Sequence, residues 1–186
     1  KNTREFNTFN EGNGVPIRRF NLGAYCKTQK GEMFFGGING FNSFFPSQVM
    51  DNTILPQIII TDIKIFNKSI KPGEDSPLKT QIFKIKQLTL PYWQNDISFE
   101  FVGVHYAKPS KNQFAYKLEN YEDDWRYVGH TRTATYTNLD YGEYIFRVKG
   151  SNNDGLWNEQ GTSLKLTILP PWWYTGWAYF AYILLF

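Results

Sequence analysis

The stretch Thr135–Trp157 reads TYTNLDYGEYIFRVKGSNNDGLW, and its second half carries the period that decides the fold. Tyr144, Phe146 and Val148 fall on one face of an extended segment while Arg147 and Lys149 fall on the other, the alternation of a half-buried strand. The same period recurs on both sides of it. Ile58, Ile59, Ile60, Ile63 and Ile65 mark an early strand, and Leu88 and Leu90 mark a short one stopped by Pro91. Ile97, Phe99 and Phe101 alternate with Ser98 and Glu100, Phe114, Tyr116 and Leu118 follow, and Leu164, Leu166 and Ile168 close the set. Six or seven such strands with no helical stretch between them predict an all-β, antiparallel sandwich over residues 53–170.

The flanking segments differ in composition. Residues 1–52 are rich in Gly, Asn and Phe, most densely in GEMFFGGINGFNSFFP from Gly31 to Pro46. Met33, Phe34 and Phe35 read as a strand that Gly36 and Gly37 break. Asn39-Gly40 is a dipeptide that favours a type I′ turn, since both residues accept positive φ. Phe20–Cys26 is placed to pair with Met33–Phe35 through a turn at Gln29–Gly31. One such unit cannot bury both faces of its sheet, so it is expected to pack on copies of itself. At the other end, Pro170–Phe186 reads PPWWYTGWAYFAYILLF and contains no charged side chain. Interfacial aromatics followed by a fully apolar run is the order in which a transmembrane helix begins, and a full span takes about 20 residues. Residues 171–186 are therefore expected to start a membrane segment; a buried C-terminal helix or strand is the alternative.

Composition excludes several classes. With 41% hydrophobic, 18% aromatic and 20% charged residues, the chain is a folded one. A net charge of +3 forms no basic block, which argues against a nucleic-acid partner. Cys26 is the single cysteine, and His105 and His130 are the only histidines, so the sequence offers neither an internal disulfide nor zinc-ligand spacing. No cofactor or metal is expected, and both histidines read as ordinary polar residues. No secretory leader opens the chain, and its first residue is read as an internal position of a longer protein.

Thr135–Val148 resembles the corner of an immunoglobulin or fibronectin type III fold, with Tyr144 where a tyrosine bonds back to the preceding turn. A more specific resemblance comes from FAYKLENYEDDW (Phe114–Trp125), the Thr135–Trp157 stretch and the closing PPWW: together they look like the "Y_Y_Y" domain of periplasmic sensor regions in hybrid two-component systems of Bacteroidetes. GEMFFGGINGFNSFFP is similar to the last propeller blade that precedes that domain. By this resemblance residues 1–52 are a fragment of the last β-propeller blade. Tyr116, Trp125, Tyr136, Tyr144, Gly155 and Trp157 are family positions that serve the fold, and Pro170, Pro171, Trp172 and Trp173 form the link to the membrane.

The resemblance implies a transmission module rather than an enzyme. It would couple ligand sensing by propellers, the ligand being an oligosaccharide, to a transmembrane helix and so to transcription of glycan-use genes. It implies a periplasmic location at the inner membrane. Its implied partners are the missing propeller blades, the membrane, and a second copy in a homodimer through the sandwich. The alternative is a carbohydrate-binding or spacer sandwich of a secreted glycan-degrading enzyme; an enzyme in its own right comes last. Glu122, Asp123 and Asp124 could pass for glycosidase carboxylates, but adjacent acids in a turn read first as solvated loop residues. Trp93, Trp125 and Trp157 could form a sugar platform, yet such folds also need large aromatics. Gly36, Gly37 and Gly40 are turn glycines, and Asn67-Lys68-Ser69 is an uninformative glycosylation tripeptide.

Overall fold

The computed structural model describes residues 19–50, 52–74, 76–105, 108–174, 176 and 178. Most of the expected membrane segment, including Trp177 and Tyr182, lies outside the described residues. The chain divides into two compact units, Lys1–Asp51 and Asn52–Phe186.

In the first unit β1 (Phe20–Lys27), β2 (Met33–Gly37) and β3 (Gly40–Phe44) form an antiparallel sheet in sequence order. Phe35 lies between Phe20 and Phe44, 6.0 and 5.9 Å between ring centroids, yet no described residue of this unit is buried. Three strands alone cannot hide these rings from water. The β2–β3 loop is Ile38-Asn39, since Gly37 pairs with Gly40, and only Gly40 has positive φ (130°). Asn39 therefore does not supply the second left-handed residue that a type I′ turn needs.

The second unit is a two-layer sandwich. β4 (Gln57–Ile65), β5 (Lys68–Ser69), β7 (Ile97–Val104) and β10 (Thr133–Tyr136) make a four-stranded sheet ordered β10-β7-β4-β5. β6 (Gln87–Leu90), β8 (Phe114–Glu119), β9 (Arg126–Gly129), β11 (Gly142–Ser151) and β12 (Trp157–Ile168) make a five-stranded one ordered β6-β12-β11-β8-β9. The two-residue I′ geometry occurs here, between β4 and β5, where Phe66 (φ 49°) and Asn67 (φ 61°) are both left-handed.

Eight strand pairs are antiparallel, but β6 runs parallel to β12. β6 leaves at Leu90 for the opposite sheet, so no hairpin ties its direction to β12. The long path through β7 to β11 serves as the crossover that a parallel pair requires.

The inward faces meet at Phe99 of β7 and Phe146 of β11, whose rings stack at 4.1 Å and 9°. Phe101, Phe114, Tyr116, Leu118, Leu164, Leu166 and Ile58, Ile60, Ile63 and Ile65 of β4 close around them, while Ile59 lies on the other face. Each fully buried side chain of this kind contributes about 1.5–3 kcal/mol relative to exposure.

Candidate functional site

Four clusters position the side chains singled out in the sequence. The first is the corner between β10 and β11. The Tyr144 hydroxyl donates to the Asp140 carbonyl 3.0 Å away, and its ring is buried. That burial pushes its phenol pKa up, with the Asp140 charge adding to the effect. Tyr116 and Tyr136 are also buried, their rings 6.2 Å apart. The Tyr136 hydroxyl donates to Glu122 Oε2 at 3.0 Å; burial, and then the carboxylate, drive its pKa strongly upward. Glu122 is not the solvated loop acid its sequence neighbours suggest. Its side chain is 9% exposed, accepts the Leu118 N–H at 3.1 Å and pairs with Arg126 at 2.5 Å. The tight turn after β8 aims it inward, whereas Asp123 and Asp124 stay exposed.

The second cluster lies on the outer face of the five-stranded sheet. Lys149 is 5% exposed, although the strand period puts it on the outward side. Its Nζ sits over Trp125 (4.6 Å), Tyr127 (5.5 Å) and Trp157 (5.5 Å) and bonds Glu159 at 2.8 Å. Burial pulls the ammonium pKa down, but the bonds to Glu159 and Tyr127 outweigh it, so the net shift is upward. Trp125 and Trp157 thus meet around a lysine. Trp93 instead packs on Tyr92, 5.0 Å away. Gly155 (φ 84°) lies in the β11–β12 turn just ahead of Trp157.

The third cluster fastens the start of the second unit to that turn. The Asn52 N–H donates to Asp154 Oδ2 (2.7 Å), and Asn52 Nδ2 reaches Asn153 Oδ1 (2.9 Å) and His105 Nε2 (2.8 Å). Asn152, itself buried, donates to the carbonyls of Asn52 and Ile54. Asn158 Nδ2 donates to the Pro56 carbonyl at 2.9 Å and the Thr162 hydroxyl to the Ile58 carbonyl, so residues 52–58 are strapped along β12. Sequence reasoning missed this strap. Its only trace is the amide-rich SNND run at Ser151–Asp154, which reads as ordinary turn chemistry. His130 lies elsewhere, its Nδ1 2.9 Å from the Asn112 carbonyl. Among the described residues no group of three His, Cys, Asp or Glu is placed to hold a metal ion.

The fourth cluster is at the opposite end of the β11–β12 hairpin. Leu169 N–H donates to the Leu90 carbonyl (2.8 Å), then Pro170 and the buried Pro171 lead into a single helical turn, Trp172–Tyr174. Trp173 stacks edge-on with Tyr92 at 5.1 Å and with Trp172 at 5.6 Å, and Tyr174 meets Tyr141 at 5.5 Å. Trp172 is 69% exposed. Gly176 and Ala178 are helical, and no described helix is long and apolar enough to cross a membrane.

Residues 105–169 match the Y_Y_Y domain. The chain is 34% identical over 184 residues to Histidine kinase P4 of Formosa agariphila, a match covering 98% of this chain and 13% of that protein. Two solved extracellular domains of hybrid two-component systems from B. thetaiotaomicron are similar. One is 26% identical with a TM-score of 0.65, covering 87% of this chain and 22% of the other. The second is 28% identical with a TM-score of 0.60, covering 77% and 19%. The chain therefore spans about one eighth of the curated relative and about one fifth of the solved extracellular domains.

Proposed function

Taking residues 105–169 as the Y_Y_Y domain they are, we propose that this chain is the transmission module of a hybrid two-component sensor histidine kinase, lying outside the inner membrane in the periplasm. Residues 1–51 then belong to the last blade of a ligand-sensing propeller, and residues 171–186 enter the membrane. The parent's signal is an oligosaccharide and its output is transcription of glycan-use genes. The fragment itself does no chemistry; it works as one of two copies joined through their sandwiches.

One observation carries this reading. The strap at Asn52 and the exit at Pro170 lie at the two ends of the same hairpin, and β12 alone runs twelve residues between them. A strand of that length spans about 40 Å at 3.3 Å per residue. Displacement of the incoming chain at Asn52 therefore acts on the tip of a stiff ribbon whose other end meets a Pro-Pro joint. Proline restricts its own φ and the residue before it, so the joint passes on rotation that a glycine linker would absorb. A ligand can drive such a movement only through its differential affinity for the two arrangements.

The test uses the full-length receptor with a transcriptional reporter. Asp154→Ala, which removes the exposed acceptor of the Asn52 N–H, and separately Pro170→Gly with Pro171→Gly, are expected to abolish the ligand response while receptor abundance and the sandwich's thermal midpoint stay near wild type. A full response from both variants would overturn the reading.

A further inference from the structure

Three loops that are far apart in sequence converge at the exit end of the sandwich. Tyr92 and Trp93 follow β6, Tyr141 precedes β11, and Trp172, Trp173 and Tyr174 follow β12. They form linked contacts: Trp93 on Tyr92, Tyr92 on Trp173, Trp173 on Trp172, and Tyr141 on Tyr174. Trp93 is 60% exposed and Tyr141 50%, so each presents about half its ring to the surroundings. The turn bearing the exposed, left-handed Phe66 is held at the same end, its N–H donating to the Asp96 carbonyl at 3.0 Å. Core packing does not account for this group. The sandwich interior is already closed by the phenylalanines and aliphatics between the sheets, and these rings lie outside that cluster.

We propose that this end of the sandwich is a collar that seats in the headgroup layer of a lipid bilayer. The inference rests on the reading of residues 171–186 as a membrane entry, and it extends that reading from the linker to the folded domain. The occupant follows from covalent geometry: the uncharged run WAYFAYILLF starts at Trp177, three residues after the collar ends at Tyr174. If that run enters lipid, the collar lies within about 5–10 Å of the surface at about 1.5–3.3 Å of rise per residue. Trp and Tyr suit this depth because their rings are apolar at one end and carry a hydrogen-bonding group at the other. Asp96 and Asp140, with Lys68 beside the Phe66 turn, give this end of the domain mixed charge and no net positive patch, so the collar fits a zwitterionic surface. Docking at three loops, rather than through one linker, would fix the tilt of the sandwich on the membrane.

The test reconstitutes the 186-residue chain in vesicles of phosphatidylcholine and phosphatidylethanolamine, with spin labels introduced singly by Trp93→Cys, Tyr141→Cys, Leu156→Cys and Tyr182→Cys in a Cys26→Ser background. Accessibility to a water-soluble nickel chelate and to oxygen reports depth. Labels at 93 and 141 are expected to be several-fold less accessible to the chelate than the label at 156, which lies in the β11–β12 turn. Adding phosphatidylglycerol should leave this unchanged. If 182 reports the acyl region while 93 and 141 match 156, the collar is wrong and the membrane entry stands. If 182 is also aqueous, both fall. Spin–spin broadening at 93 together with low oxygen accessibility would show that a second copy covers the collar, which likewise overturns the proposal.

Discussion

The Tyr136 hydroxyl, on the four-stranded sheet, donates to the Glu122 carboxylate 3.0 Å away in the loop between β8 and β9 of the other sheet. One acid thereby ties the two layers together and also caps the Leu118 N–H. Glu122→Ala leaves that N–H and the tyrosine hydroxyl short of an acceptor, and the expected loss is about 2–3 kcal/mol. Urea denaturation checks it; a loss below the scatter of surface substitutions would show that water replaces the carboxylate.

Alkaline stability should depend on Tyr136. Its pKa is raised by burial and by Glu122, above the unfolded value of about 10. Below pH 10 both states hold the proton and stability is unaffected. Above it the unfolded chain loses a proton that the folded one keeps, so stability falls by about 1.4 kcal/mol per pH unit for each such group. Tyr144 and Lys149, also raised, contribute in the same direction. Tyr136→Phe should therefore flatten the decline by one group's share when urea midpoints are compared between pH 9 and 11.5.

Lys149→Met retains a buried stem among Trp125, Tyr127 and Trp157 but removes the ammonium. The cost expected is about 1–2 kcal/mol, the range for desolvated cation–π contacts, and Lys149→Ala should cost more because the space within the rings empties. Trp125→Leu should be milder in the Met background than in wild type. A double-mutant cycle reads this coupling, and strict additivity would mean that the rings and the cation do not interact.

Gly161 and Gly155 are both left-handed, but a Cβ at Gly161 would lie 2.1 Å from the Val148 carbonyl oxygen, whereas one at Gly155 would meet nothing within 4 Å. Gly155→Ala should cost about 1–2 kcal/mol, the strain of a left-handed residue alone. Gly161→Ala should cost clearly more, because the β11–β12 ladder must open at its bulge. Thermal denaturation of the two single variants ranks them; equal losses would refute the steric account.

Tyr144→Ala should cost about 3 kcal/mol or more, as truncation of a buried aromatic does. Replacing Trp172 and Trp173 together should lower the melting temperature far less, since both are exposed. Differential scanning calorimetry decides. An equal loss would return the terminal aromatics to the core and remove the support for their part in the membrane link.

How much was legible can be judged residue by residue. The period of two is local, so the inward faces of Tyr144, Phe146 and Val148 follow from the sequence, and so does the existence of a sandwich. The same period sends Lys149 outward without saying what covers that face; Trp125 and Tyr127 arrive there only because β9 completes the sheet. Glu122 looked solvated because a run of acids carries no sign of which member a turn will aim inward. Asn39-Gly40 does not form the expected type I′ turn because the β2–β3 register, Gly37 on Gly40, puts Ile38 and Asn39 in the loop; a different hairpin, at Phe66-Asn67, has that geometry.

By itself, then, the sequence determined six strands of the sandwich (β4, β6, β7, β8, β11 and β12, but not β5, β9 or β10), the change of character near residue 52 and the uncharged aromatic terminus. These depend on side-chain chemistry at short spacing. Tertiary structure alone decided the parallel placement of β6, the strap from Asn52 to Asn152, the burial of Lys149 and Glu122, and the meeting of Tyr92, Tyr141 and Trp173 at one end. Each joins residues separated by a long stretch of chain or turns on which neighbour fills a space, and neither is written in a local pattern.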